Sequence, residues 1–306
     1  MSHDRSRFLG GSDVAAVLGV SHYRTPLELW QEKTGRKVFE ADPEEARRKS
    51  RGQKLEPFIV EMAVEKLREQ GHTVEIITRN ARYFDPSLPF LSCEIDAELE
   101  VDGQEVNFDA KSASGAARQR WGEEGTDQVP LEYAAQFMHG LGITARPKTL
   151  VAALRSFDDV ELYEVPRDEL TIQAMREKCV LFWRDCVEAD RPPDPITFAD
   201  CRELWPECNG KRVEATEEVL ALIDELRQVA DRKKALANRE EWLRFELARF
   251  MGPAEVISKG VRDLVSWAAE TRSDFDEKAF RREHPDWFAL FTKPRTTRVL
   301  RIARRR

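Results

Sequence analysis

The chain changes its hydrophobic period several times, and this alternation limits the folds open to it more than any other feature. Between residues 43 and 70, Leu55, Phe58, Ile59, Met62, Ala63, Val64 and Leu67 recur at helical spacing, and Gly71 follows as a stop. From residue 73 the period falls towards two. Residues 73–78, 90–96, 97–101 and 105–111 read as short strands, punctuated by Pro86, Pro89 and the pair Asp102-Gly103. An Asp-Gly pair between such runs is a strong hairpin signal, because both residues accept the positive φ of a tight type I′ turn. A helix is predicted over 131–141 behind Pro130, then strands over 149–154 and 161–165, then a helix over 167–188. Helix, strands, helix, strands, helix in that order indicates a mixed α/β layer.

Upstream, Gly10-Gly11 reads as a turn, and Ser12 or Asp13 is a natural N-cap for an apolar helix from Val14 to Leu18 that Gly19 closes. A second helix, Pro26 to Lys33, has proline in its first turn. Downstream, Pro192, Pro193, Pro195 and Asn209-Gly210 mark breaks. Residues 214–250 are charged and periodic, with an apolar stripe through Val219, Leu222, Ile223, Leu226, Val229, Ala230, Leu236, Leu243, Phe245 and Leu247, so a long helix or helical hairpin is predicted. Strands over 255–258 and 262–267, a short helix near 277–282 and a last strand over 297–302 would follow. The expected organisation is a main domain over 1–210, a helical segment over 211–252 and a small α+β module with a basic tail over 253–306.

With 41% hydrophobic and 34% charged residues in 306, the chain can bury a core and keep a well-solvated surface. It lacks any run of about 18 apolar residues, the length a membrane helix needs. The first residues are polar and lead into glycines rather than an apolar stretch, so no secretory signal is read and a cytoplasmic location is the default expectation. The five cysteines form no CxxC pair, which fits reduced thiols better than a disulfide framework. The spacing of Cys179, Cys186, Cys201 and Cys208 also lacks the close pairs typical of iron–sulfur ligands, so these thiols are expected to pack.

The net charge of −7 argues on its face against a nucleic-acid partner, but the distribution is uneven. Arg47, Arg48, Lys49, Arg51 and Lys54 form one basic cluster, and Arg118 and Arg120 another. The tail from Lys293 to Arg306 holds seven basic residues and no acid. Solvated faces and phosphate-binding faces both have this composition.

The chemistry concentrates at the hairpin. Asp96 lies on one strand, and Asp109 and Lys111 lie two apart on the next, where alternation turns both to one face and Ala110 to the other. Lys111 beside two carboxylates is expected to be held charged by them. Hard oxygen ligands around an open position suit Mg²⁺, and metal-assisted phosphodiester hydrolysis uses such a site. A surface strand with alternating charges would give the same pattern, so these residues alone leave both readings open.

Six segments occur in order between residues 5 and 190. They are Gly10 to Gly19, Tyr23 to Trp30, Gly52 through Leu55-Glu56-Pro57, Leu91 to Asp96, Asp109-Ala110-Lys111, and Pro130 with Tyr133-Ala134-Ala135-Gln136. Together they resemble the phage lambda-type exonuclease and YqaJ-like viral recombinase family, a branch of the PD-(D/E)xK nucleases. The resemblance implies a restriction-endonuclease-like α/β (α+β) core, a mixed central sheet flanked by helices, here followed by the long helix and small module. It implies that Asp96 and Asp109 bind metal with the Ala110 carbonyl, that Lys111 is catalytic, that Glu56 assists the metals, and that Gln136 serves the site. Ser12 falls where the family contacts a 5′-phosphate, with Arg5 a candidate for the same pocket.

The implied activity is Mg²⁺-dependent DNA hydrolysis, with Mn²⁺ able to substitute, most simply as a 5′→3′ exonuclease on duplex DNA with free ends in phage-type recombination. A ring-shaped homotrimer and a single-strand annealing partner are implied by the family only. Two departures are Asp109 where the family usually has glutamate, and Ile95 where proline commonly precedes the first aspartate. An endonuclease on the same core and an inactive DNA-binding scaffold remain alternatives. Ser12 reads equally as a helix cap and Gln136 equally as a structural donor. His22 and His139 read as structural, and Trp30 and Tyr23 as core residues. The last hundred residues resemble an extension of longer phage-type members, suited to oligomer contact or DNA guidance.

Overall fold

The computed structural model describes residues 4–37, 43–113, 115–155, 159–294 and 296–303, so Arg295 and Arg304 to Arg306 of the basic tail lie outside it. The chain divides into two compact units, Met1–Leu204 and Trp205–Arg306, placing the boundary expected at 210 after Leu204.

In the first unit, a 3₁₀ turn (Arg5–Arg7) precedes α1 (Gly11–Val17), α2 (Pro26–Lys33) and α3 (Pro43–Glu69). Strands β1 (Val74–Phe84), β2 (Ser92–Val101) and β3 (Gln104–Ser112) follow, then α4 (Leu131–Thr144), β4 (Lys148–Leu154), β5 (Val160–Pro166), α5 (Glu169–Leu181) and α6 (Phe198–Leu204). The runs 90–96 and 97–101 form one strand rather than two, and the helix expected over 167–188 is α-helical only to Leu181 before a π-helical stretch, Phe182–Glu188. The turn residues are those read from the sequence. Asp102 and Gly103 both have positive φ, 51° and 79°. Helix α2 starts on a capping box, Thr25 Oγ1 accepting from the Glu28 amide and the Glu28 carboxylate accepting from the Thr25 amide.

The five strands lie in the order β1-β2-β3-β4-β5, antiparallel except for β3 and β4, which run parallel. That parallel pair requires a crossover, which α4 supplies. Helices cover both faces, and the alternation of β4 shows how. Leu150 and Ala152 pack with Ile59, Val60 and Val64 of α3, whereas Val151 and Ala153 pack with Phe137 of α4 and with Trp121 and Tyr163. In register with β4, Phe108 and Ala110 therefore share the α3 face, and Asp109 and Lys111 the α4 face. Beside α4, a further core joins α1, α2 and α5 through Leu9, Val14, Leu29, Trp30, Met175 and Trp183.

His139 of α4 is buried and its Nε2 donates to the Ser92 carbonyl at 2.9 Å. Burial pushes its imidazole down to about 4, so the ring is neutral. The unfolded chain takes up this proton near pH 6.5 and the folded chain does not until about pH 4. Stability therefore falls as pH drops through that window, by at most about 3 kcal/mol. Denaturant midpoints at pH 7 and 4.5 should fall further for the unaltered chain than for His139→Gln; equal falls would show that this histidine is not the sensor.

In the second unit, α7 (Glu217–Met251) is one continuous 35-residue helix rather than a hairpin, capped by Thr216 and ended by Gly252 at φ 53°. Strands β6 (Val256–Lys259) and β7 (Arg262–Ser266) pair antiparallel, and α8 (Glu277–Glu283) and α9 (Pro285–Phe291) follow. The strand expected over 297–302 does not form; those residues carry no regular structure and no partner strand. Among the described residues no helix is long and apolar enough to cross a membrane.

Candidate active site

The β2–β3 hairpin, α3 and α4 bring six of the sequence-predicted residues together, Glu56, Asp96, Asp109, Ala110, Lys111 and Gln136. Asp96 on β2 accepts the Ala110 amide at 2.8 Å, tying the carboxylate to the neighbouring strand. Asp109 on β3 is buried, its Oδ1 in an ion pair with Lys111 Nζ and its Oδ2 accepting from Gln136 Nε2 at 3.4 Å. Glu56 stands on α3, one residue before Pro57, which removes an amide from the helix ladder there. Burial and then the Asp96 charge raise the Glu56 carboxyl, with Lys111 pulling the other way. The site thus holds carboxylates that repel one another and a single lysine among them.

Lys111 corrects one expectation. Asp96 and Glu56 do favour its charged form, but burial is the larger effect and holds the ammonium below the ordinary lysine range. The aromatic residues that enclose it were not singled out from the sequence. Nζ lies 5.4 Å from the centre of the Tyr133 ring and 5.6 Å from that of Phe137, both on α4. Tyr133, Gln136 and Phe137 stand at spacings of three and four, so helical periodicity could have grouped them on one face. Tyr133 in turn bonds Tyr23, and burial with that neighbour raises its hydroxyl to about 12. Tyr23 itself is exposed rather than core, whereas Trp30 is buried as expected and donates to the Cys186 carbonyl at 2.9 Å.

Arg5 and Ser12 also meet, the guanidinium donating to Ser12 Oγ at 3.2 Å. Ser12 is not the cap of α1. That position is Gly10, whose amide donates to the Asp13 carboxylate at 3.0 Å. Gly11 allows the close approach of α1 to α4, since a Cβ there would lie 2.9 Å from Gln136 Cγ. Beneath this corner Asp13 is fully buried, in contact with Lys33 at 2.8 Å, Arg24 at 2.5 Å and Arg5 at 3.7 Å. Burial raises its carboxyl, but Lys33 and Arg24 outweigh that and hold it below the usual carboxylate range. Arg24 pairs also with Glu32. Lys33 and Arg24 balance Asp13 and Glu32, so the partly exposed Arg5 gives this corner its one net positive charge.

The donor set suits a hard divalent cation in kind: the carboxylates of Asp96, Asp109 and Glu56 with the Ala110 carbonyl, and no thiol or imidazole. Burial first and the Asp96 charge second raise the Glu56 carboxyl, and a bound cation would offset both. Among the described residues no three His, Cys, Asp or Glu side chains are already gathered as a metal cluster, and Lys111 is the cation against Asp109. Among the described residues no gathered metal-binding group is found, the cysteines included; Cys179 is buried and Cys186 and Cys201 are half-buried in the first unit, and Cys208 is exposed in the second. The basic residues Arg47, Arg48, Lys49, Arg51 and Lys54 lie exposed on the same helix as Glu56, whereas Arg120 is paired with Glu132.

Residues 2–147 match the family described as YqaJ-like viral recombinase domain. The uncharacterized protein YqaJ of Bacillus subtilis (strain 168) is 24% identical over 298 residues, 95% of this chain and 89% of the relative, so that likeness continues into the second unit. Two solved structures of an alkaline exonuclease from Laribacter hongkongensis, one of them in complex with dAMP, are similar at 17% and 16% identity. Each similarity covers 61% of this chain and 90% of that chain, with a TM-score of 0.43.

Proposed function

We propose that this chain belongs to the YqaJ-like viral recombinase family that residues 2–147 match, and that it is a divalent-metal-dependent DNA nuclease, a 5′→3′ exonuclease on duplex ends serving phage-type recombination. One observation carries the reading. Asp96, Asp109 and Lys111 on adjacent strands converge with Gln136 of α4, while Glu56 of α3 feels the Asp96 and Lys111 charges.

Asp96, Asp109, Glu56 and the Ala110 carbonyl would hold Mg²⁺, or Mn²⁺ in its place. The ion would supply Lewis-acid polarisation of the scissile phosphate and a more acidic water. The protein's own groups do the rest. The Ala110 amide and Gln136 fix the orientation of the two aspartates. Lys111, held over the Tyr133 and Phe137 rings, offers a poorly hydrated ammonium to negative charge that grows on the phosphate oxygens. The basic face of α3 is suited to the flanking backbone, a contact that weakens with salt.

The purified chain with Mg²⁺ should release nucleotides from linear duplex DNA, leave closed circles intact and stop when the ion is chelated. Cutting of closed circles would make it an endonuclease. No cleavage with either ion would favour the inactive scaffold.

Arg5 and Ser12 are proposed to receive the terminal 5′-phosphate. A guanidinium that is about half exposed, donating to a hydroxyl beside the charge-balanced cluster of Asp13, Glu32, Lys33 and Arg24 and so adding one net positive charge, supports this role. Loss of one charge-assisted contact is worth about 1.5–3 kcal/mol. Arg5→Ala should therefore lower the preference for phosphorylated over hydroxyl ends by about ten-fold or more, and Ser12→Ala by less. Competition between the two end types measures it, and an unchanged ratio would remove the pocket assignment.

A further inference from the structure

The second unit exposes aromatic rings in its most basic stretch of sequence. On α9, Trp287 and Phe291 stand one helical turn apart, 60% and 75% exposed. Their ring centres are 6.3 Å apart and their planes within 14° of parallel. Phe288 on the neighbouring face has the Arg281 guanidinium of α8 at 5.2 Å from its ring centre, and Phe280 lies 5.2 Å from the His284 ring. These contacts fasten the two short helices to each other and leave the Trp287 and Phe291 faces in solvent.

The charge around them selects the ligand. From Glu277 to Arg306 the sequence holds ten basic residues against three acids, in a chain whose net charge is −7. Lys278, Lys293 and Arg301 are exposed. The described residues that follow α9 carry no regular structure, yet they are tied to their own unit. Arg298 donates to the Trp205 carbonyl at 3.4 Å, and Arg227 of α7 to the Ala303 carbonyl at 3.3 Å. An apolar protein face would meet the rings but leave the cations without partners. Duplex DNA would meet the cations but not the rings, because its bases cover one another and offer only their edges in the grooves. An unpaired strand meets both, with phosphates for the cations and open base faces for the rings.

We propose that α9 and the basic tail form a site for single-stranded DNA, with Trp287 and Phe291 as stacking platforms for bases and Lys293 and Arg301 as contacts to phosphates. That the strand is DNA rather than RNA rests on the proposed substrate of the nuclease; the stacking and phosphate chemistry is common to both. Cleavage plays no part in the site, so its test runs without a metal ion and separates it from the nuclease reading.

The measurement is the fluorescence anisotropy of a labelled oligodeoxythymidine of about 20 nucleotides, longer than one such footprint, titrated with the full chain in excess chelator. Trp287→Ala and Phe291→Ala should each weaken binding about ten-fold, within the range for losing one base–aromatic stack, and Trp287→Phe should retain most of it. These variants leave the salt dependence unchanged. Lys293→Gln with Arg301→Gln should instead lower the slope of log affinity against log salt by about 0.7 per charge removed. A cross-link locates the site apart from any DNA-binding face of the first unit. Iododeoxyuridine in place of thymidine, irradiated under an excess of unlabelled duplex, should mark the peptide that holds Trp287 and Phe291. Affinity unmoved by alanine at both rings, cross-links confined to the first unit, a duplex that displaces the cross-link as well as the single strand does, or tighter binding of an RNA oligomer of the same length would each overturn the proposal.

Discussion

A Lys111→Met chain should degrade linear duplex DNA about 10²–10³-fold more slowly than the unaltered chain, the scale on which a single positioned group that stabilises transition-state charge contributes. The expectation follows from the surroundings of the side chain. Burial and two aromatic rings strip water from the ammonium, so its field on a nearby phosphate is screened little. The same lysine compensates the buried Asp109, and its loss leaves that carboxylate with the Gln136 contact alone. Lys111→Arg separates the two effects. It keeps a cation beside Asp109 and so keeps the fold, while its planar fork does not reproduce a compact ammonium, and activity should still fall. Full activity in both variants would mean that the residues of the site are wrongly assigned.

Asp13→Ala should destabilise the chain by about 3–5 kcal/mol, the range for removing one partner of a buried ion pair. The side chains of Asp13 and Lys33 are both wholly buried, and Arg24 leans on the same carboxylate. Without it, Lys33 retains the Arg5 carbonyl at 2.6 Å as an acceptor but loses its counter-charge. The measurement is the denaturant midpoint, with the slope unchanged if the transition stays two-state. Replacing the pair together, Asp13→Leu with Lys33→Met, should recover most of the loss, because an apolar substitute leaves no charge uncompensated. A single variant as stable as the parent would show that the network contributes little to the fold.

What could be read from the sequence was whatever depends on near neighbours. The change of period gave the layer order, Asp102-Gly103 gave the hairpin, and alternation put Asp109 and Lys111 on one face with Ala110 opposite. What escaped depends on partners distant in the chain. Asp13 looked like one of two candidate caps, since nothing near it announces Lys33 or Arg24 as its counter-ions. The lowered Lys111 follows from burial by α4, over twenty residues downstream. Tyr23 looked like core by helical spacing with apolar neighbours, yet it sits in the loop before α2 with its ring in the open. Residues 297–302 alternate like a strand, but alternation makes a strand only where another strand offers its backbone, and β6 and β7 pair with each other instead.

The most direct test of the central claim sets the unaltered chain beside Asp109→Asn on end-labelled linear duplex DNA, with Mg²⁺ titrated from nothing. Asparagine keeps the size of the side chain and an acceptor for Gln136 but removes the charge a divalent ion needs. The account predicts label release that rises and saturates with Mg²⁺ for the unaltered chain, and for Asp109→Asn a rate about 10²-fold lower or less at every concentration, as expected when a positioned charge at the reacting centre is lost. Equal Mg²⁺-dependent release from both chains, or none from either, would contradict it.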